Sequence, residues 1–195
     1  MKLRKLVLAL IAAAPMAFVT PATANTLTYQ GVTFETLAVD SDTLMLNIIN
    51  ATVATGDWAG VGFLKAFEIK GIGDVTSASL AGWTANVANG LSASALGCAP
   101  PGGTPGACFS SSPAFALSPL MSFTIDFGGT NLNFDAPHLK VQFLTNYNDT
   151  SKTGSLLSQT IPAIPEPEIY AMMAVGLGFL GWAVRRKRVA EAVAA

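Results

Sequence analysis

The stretch "LMSFTIDFGG", Leu120 to Gly129, decides the fold class. Met121, Phe123, Ile125 and Phe127 alternate with Ser122, Thr124 and Asp126, and a period of two sets the apolar side chains on one face of a strand. "HLKVQFLTN", from His138, repeats the pattern: Leu139, Val141 and Phe143 take one face, and Lys140, Gln142 and Leu144 the other. Upstream, "TLTYQGVTFETLAVD" (Thr26 to Asp40) and "TLMLNIINAT" (Thr43 to Thr52) read as strands joined by a hairpin turn at Asp40-Ser41-Asp42. "AGVGFLKAFEIKG" supplies another strand, with Phe63, Phe67 and Ile69 as core contributors, and "VTSASLAG" and "WTANVA" follow. Residues 88–118 read as loop-rich, and "TSKTGSLLSQTIPAIPEPE" as a last strand or a loose stem. Helical periodicity is weak and no internal repeat is evident. Short strands separated by turn residues predict an all-β domain over residues 25–160, a β-sandwich of jelly-roll or Greek-key-like type.

Both ends of the chain differ from this middle. Lys2, Arg4 and Lys5 precede an uncharged apolar run from Leu6 to Val19, and Ala22-Thr23-Ala24 offers the small-x-small pattern that signal peptidase accepts. Residues 1–24 therefore read as a signal peptide cut between Ala24 and Asn25, with an uncleaved anchor as the competing reading. At the other end, residues 169–184 carry no charge. As a helix this segment spans roughly 24 Å, a little short of a bilayer's ~30 Å hydrocarbon core, a gap that local thinning or snorkelling by the flanking cations can close. Arg185, Arg186, Lys187 and Arg188 follow at once, which predicts a transmembrane helix with residues 185–195 as a basic cytoplasmic tail. Gly176, Gly178 and Gly181 suit a membrane helix better than a buried helix of a soluble domain.

A short linker, residues 161–168, precedes that span, and within it Pro165 and Pro167 keep the backbone extended and out of any helix or sheet. An uncovered extended segment is the form a protease grips. The order Pro165-Glu166-Pro167, glycine-studded span, Arg-Arg-Lys-Arg resembles the PEP-CTERM sorting signal over about the last thirty residues. "VAEAVAA" after the basic cluster is longer than such tails usually carry. The resemblance implies recognition by exosortase, a multi-pass membrane enzyme proposed to be a cysteine transpeptidase. It further implies removal of the tail near Pro-Glu-Pro, and transfer or release of the domain at the surface of a Gram-negative bacterium that makes exopolysaccharide or biofilm. The chain would then be anchored in the inner membrane only in transit.

Between Asn25 and Ile164 lie 140 residues, one ordinary domain. Lys65, Lys70, Lys140 and Lys152 face nine acids there, a net charge of −5 that argues against nucleic acid as a partner. Cys98 and Cys108 are the two cysteines, and in an oxidising compartment their pairing across "CAPPGGTPGAC" is expected, two free thiols being the alternative.

Residues suited to catalysis are sparse. His138 is the one histidine; Asp135 is near in sequence, but no G-x-S-x-G elbow accompanies them, and a strand-edge histidine explains it as well. Asp40 with Asp42, or Asp126 with Asp135, invite comparison with glycosidase pairs or a Ca²⁺ loop, yet an acidic domain supplies such pairs by chance. "KGIGD" at Lys70 to Asp74 lacks the ending of a phosphate loop and reads as a turn. Trp58 and Trp83, with Tyr29 and Tyr147, are candidates for stacking on sugar rings, or else for filling the core. Asn50-Ala51-Thr52 and Asn148-Asp149-Thr150 fit the glycosylation sequon. The expectation is an exported structural or adhesive protein with no catalytic residues, metal or cofactor. Signal peptidase and exosortase are its processing partners, and exopolysaccharide its surroundings. A carbohydrate-binding module is the alternative, and an extracellular hydrolase the weaker one.

Overall fold

The computed structural model describes residues 24–92, 96–100, 106–147, 156–163 and 176–178. Its strands run in order β1 (Ala24–Tyr29), β2 (Val32–Ala38), β3 (Thr43–Ile49), β4 (Phe63–Lys70), β5 (Asp74–Ser79) and β6 (Thr84–Asn86). They continue with β7 (Gly90–Leu91), β8 (Cys98–Ala99), β9 (Gly106–Ala116), β10 (Leu120–Thr130), β11 (His138–Leu144) and β12 (Leu157–Thr160). Five strands form a first sheet in the order β1-β2-β3-β10-β5, and five form a second in the order β12-β11-β4-β9-β6. Strands β7 and β8 pair separately, and the neighbouring strands of all three sheets are antiparallel.

The alternation read in β10 and β11 is the packing pattern. Phe123 and Ile125 of β10 join Phe34, Leu44, Leu46 and Ile48 of the first sheet in one buried cluster with Leu64, Phe67, Ile69, Phe109, Leu139, Val141 and Phe143 of the second. The sheets meet at Phe67 and Phe123, whose rings lie 5.4 Å apart. Each such side chain, fully buried, contributes about 1.5–3 kcal/mol of transfer free energy. The chain passes outward through β3, β4, β5 and β6, changing sheet each time, and on its return β9 enters between β4 and β6 while β10 enters between β3 and β5.

Three local expectations need correction. Thr26 to Asp40 is not one strand: Gln30 (φ 47°) and Gly31 (φ 79°) both take positive φ, making a two-residue hairpin between β1 and β2. Phe63 points away from the core towards Tyr147, because a register shift between Leu64 and Ala66 puts Leu64 inward instead. Residues 88–118 are not mainly loop, since β9 is a central strand of the second sheet. Its first part, residues 106–109, is buried on both faces, so the polar half of the alternation is missing there. Pro113 falls among residues 111–114, which lie outside the β4–β9 register, so its missing N–H costs no ladder bond. The predicted turn at Asp40 is present: Oδ1 of Asp40 accepts from the backbone N–H of Asp42 (3.0 Å) and of Thr43 (2.8 Å).

Candidate functional site at the C-terminal exit

Strand β12 is the edge of the second sheet and the last strand before the Pro-Glu-Pro segment. Leu157 and Ile161 are buried and hold it down, while Ser158, Gln159 and Thr160 are exposed. The register pairs Val141 with Leu157, Lys140 with Ser158 and His138 with Thr160. Beyond the strand, the Ile161 N–H donates to the Pro137 carbonyl at 2.9 Å. Pro162 then removes a donor and ends the pairing. Between Ile161 and Pro165 stand Pro162, Ala163 and Ile164, a reach of at most about 14 Å. The folded domain thus closes directly beside the segment expected to be cut.

The face beside this exit is built from β4, β11 and a covering hairpin. Glu68 and Lys140 sit opposite each other in the register, and their side chains form an ion pair of 2.9 Å. Leu91 of β7 clamps both partners: its N–H donates to Glu68 Oε2 (2.9 Å), and its carbonyl accepts from Lys140 Nζ (3.1 Å). Gly97 donates through its backbone to Gln142 Oε1 at 2.8 Å. Ala66, Leu91 and Cys108 make a small second core beneath the hairpin, with Cys98 and Leu156 packed against it. Cys98 and Cys108 are joined by a disulfide, with Cα atoms 5.8 Å apart, so the expected staple ties the hairpin to β9. Nothing in the sequence pointed to the Glu68–Lys140 pair beyond two charges set between apolar neighbours.

His138 opens β11 with its ring between two hydroxyls, Nδ1 at 3.2 Å from Thr160 Oγ1 and Nε2 at 3.1 Å from Ser158 Oγ. Among the described residues neither nitrogen meets a carboxylate. Burial, and then the Lys70 and Lys140 charges, hold the imidazole below the usual histidine range. Burial and the Lys140 ammonium likewise lower the Lys70 amine. Asp40 is lowered by the Asp42 and Thr43 hydrogen bonds, and Asp42 is raised by its hydrogen bond to Asp40 and by that neighbour's charge. Among the described residues no group of three or more His, Cys, Asp or Glu side chains is placed to hold a metal ion.

Trp58 is not a sugar platform. It is 0% exposed, and its ring meets Tyr29 (5.2 Å), Phe34 (6.1 Å) and Phe143 (4.9 Å) edge-on, bridging the two sheets. A short 3-10 turn delivers it, and its backbone N–H is held by Gln30 Oε1 at 3.0 Å. Trp83 is half-buried and packs on Phe67, Phe123 and Phe115. Tyr147 is 53% exposed. Ala24 and Asn25 already belong to β1, paired with Leu37 and Thr36, and Asn25 Nδ2 donates to the Phe134 and Asp135 carbonyls.

Ala22 and the rest of the predicted signal peptide lie outside the described residues, as do Pro165, Glu166 and Pro167 and the cluster Arg185, Arg186, Lys187 and Arg188. Of the predicted span only 176–178 are described, and they are helical. No described helix is long and apolar enough to cross a membrane.

An antiparallel all-β domain, stapled by a disulfide and ending in a strand that feeds a Pro-Glu-Pro tail, defines the class of protein. The family model for the PEP-CTERM protein-sorting motif matches residues 163–188, and the chain carries that motif. The motif indicates an extracellular protein processed by exosortase at the membrane. No curated protein and no solved structure matches the chain.

Proposed function

We propose that this is a non-catalytic structural or adhesive protein of an exopolysaccharide or biofilm layer, built on a β-sandwich of jelly-roll type. In this reading residues 1–24 are removed by signal peptidase, and residues 169–184 hold the chain in the inner membrane only until exosortase cuts near Pro165-Glu166-Pro167. The basic cluster Arg185–Arg188 stays on the cytoplasmic side. The return of β9 and β10 between outgoing strands of both sheets supports the jelly roll.

One observation carries the reading: Ile161, buried and hydrogen-bonded to Pro137, lies two residues before residue 163, where the matched motif begins, so the described fold ends directly beside that motif. The hydroxyl partners of His138 and the burial of Trp58 support a role without catalysis or stacking on that ring. Half-buried Trp83 beside Phe115, itself 41% exposed, is the feature that favours carbohydrate binding as the second reading.

The test is fractionation of cells with and without exosortase, followed by intact-mass measurement. The expected mature protein begins at Asn25, ends near Pro165–Pro167 and leaves the membrane fraction only when exosortase is present. If the protein keeps residues after Pro167 in both strains, the tail is a permanent anchor and the sorting reading is wrong.

A further inference from the structure

Charge is divided between the outer faces of the two sheets. Glu35 and Asp126 lie on the outer side of the first, with Asp40 and Asp42 at its rim. Lys70, Lys140 and His138 lie on the outer side of the second, at the end where the chain leaves for the sorting motif. Lys70, His138 and Thr160 are register partners across β4, β11 and β12, and Glu68, Lys140 and Ser158 form the adjacent row.

This patch carries more cation than it neutralises. The Glu68 carboxylate is taken up by Lys140 and by the Leu91 N–H, and Lys140–Glu68 is the one salt bridge among the described residues. Lys70 is left beside a second ammonium and an imidazole. Ser158 and Thr160 are exposed and stand against the two ring nitrogens of His138. A neutral imidazole has one N–H, so one hydroxyl accepts from it and keeps its own proton to donate outward. Side chains two apart on a strand are roughly 7 Å apart, so these hydroxyls form a line rather than a point.

We propose that Lys70, His138, Ser158 and Thr160 form a binding site for a carboxylated sugar of an acidic polysaccharide, with Lys70 holding the carboxylate, Ser158 and Thr160 meeting the ring hydroxyls, and His138 orienting those two hydroxyls. The site deepens the extracellular reading above and rests on it. An arriving carboxylate offsets the burial, and then the Lys140 repulsion, that lower the Lys70 amine. A lipid surface fits less well, because none of the exposed large apolar side chains falls within residues 68–70, 138–140 or 158–160, so nothing there enters a hydrocarbon layer.

The experiment titrates the mature, processed protein with polygalacturonate, with neutral dextran and with phosphatidylglycerol vesicles. Polygalacturonate is expected to bind, more weakly as salt is raised, and dextran not to bind. Lys70→Gln should weaken binding about five- to tenfold, the loss of one charge-assisted contact at a half-exposed position. Ser158→Ala should weaken it by about two- to fivefold, and Lys65→Gln, at the other end of β4, should leave it unchanged. Circular dichroism confirms that each variant is folded. The proposal is overturned if dextran binds equally well, if Lys70→Gln binds as the parent does, or if phosphatidylglycerol vesicles bind through the same residues as tightly as polygalacturonate. None of these outcomes bears on where the protein is found in fractionated cells, so this site and the sorting reading fail separately.

Discussion

Replacing Lys140 by methionine should cost more stability than neutralising its partner through Glu68→Gln. The two side chains are unequal, Lys140 being 19% exposed and Glu68 3%. Removing one partner of a fully buried ion pair costs about 3–5 kcal/mol, because the other charge is stranded. Lys140 keeps some access to water, so water also reaches the edge of the site, and the cost of Lys140→Met falls to about 2–3 kcal/mol. Glu68→Gln retains an acceptor for the Leu91 N–H, while Lys140 keeps the Leu91 carbonyl and its solvent. That change should cost about 1 kcal/mol. With Glu68→Gln already present, Lys140→Met should add little, a coupling of about 1–2 kcal/mol. Urea unfolding of the mature protein and its three variants measures all of these terms, and a melting shift near 8–12 °C for Lys140→Met is the thermal counterpart. A larger loss for Glu68→Gln than for Lys140→Met would refute the reasoning, as would strict additivity.

Trp58→Ala should destabilise the domain by about 3–5 kcal/mol, since it empties a fully enclosed site between the sheets. A thermal melt within a few degrees of the parent would show that Trp58 does not bridge them. His138 gives a pH dependence whose direction follows from its lowered value, with Lys70, Lys140 and Glu68 as the charges around it. The unfolded chain binds its proton more readily than the folded one, so stability is full above about pH 6.5 and declines as pH falls through the unfolded value. His138→Gln should flatten that decline between pH 7.5 and 5.5 in paired urea titrations; parallel curves would remove His138 as its source.

Much of the domain was legible because strands covered on one face must alternate. Met121 to Phe127 and Leu139 to Phe143 show this, and both sets of apolar side chains lie in the core. The disulfide was legible from two cysteines in an exported chain, and the tail from the order of prolines, apolar run and arginines. β9 was not, since cover on both faces of residues 106–109 erased the polar half there, and neither was the hairpin at Gln30-Gly31, because glutamine is an uncommon residue at positive φ. Trp58 could not be assigned either. Its burial depends on Tyr29, Phe34 and Phe143, which are brought together from three separate strands.

The division between sequence and tertiary structure follows from range. An apolar alternation or a proline-flanked tail is local, and its period or order is complete within a few residues. The sequence alone therefore determined the strand-rich class and the sorting motif at the C-terminal end. The line of Lys70, His138 and Thr160 joins residues ninety positions apart through the register of three strands. Only the folded sheet, by choosing which strands are neighbours, decided that the one histidine and Lys70 would stand together where the chain leaves the domain.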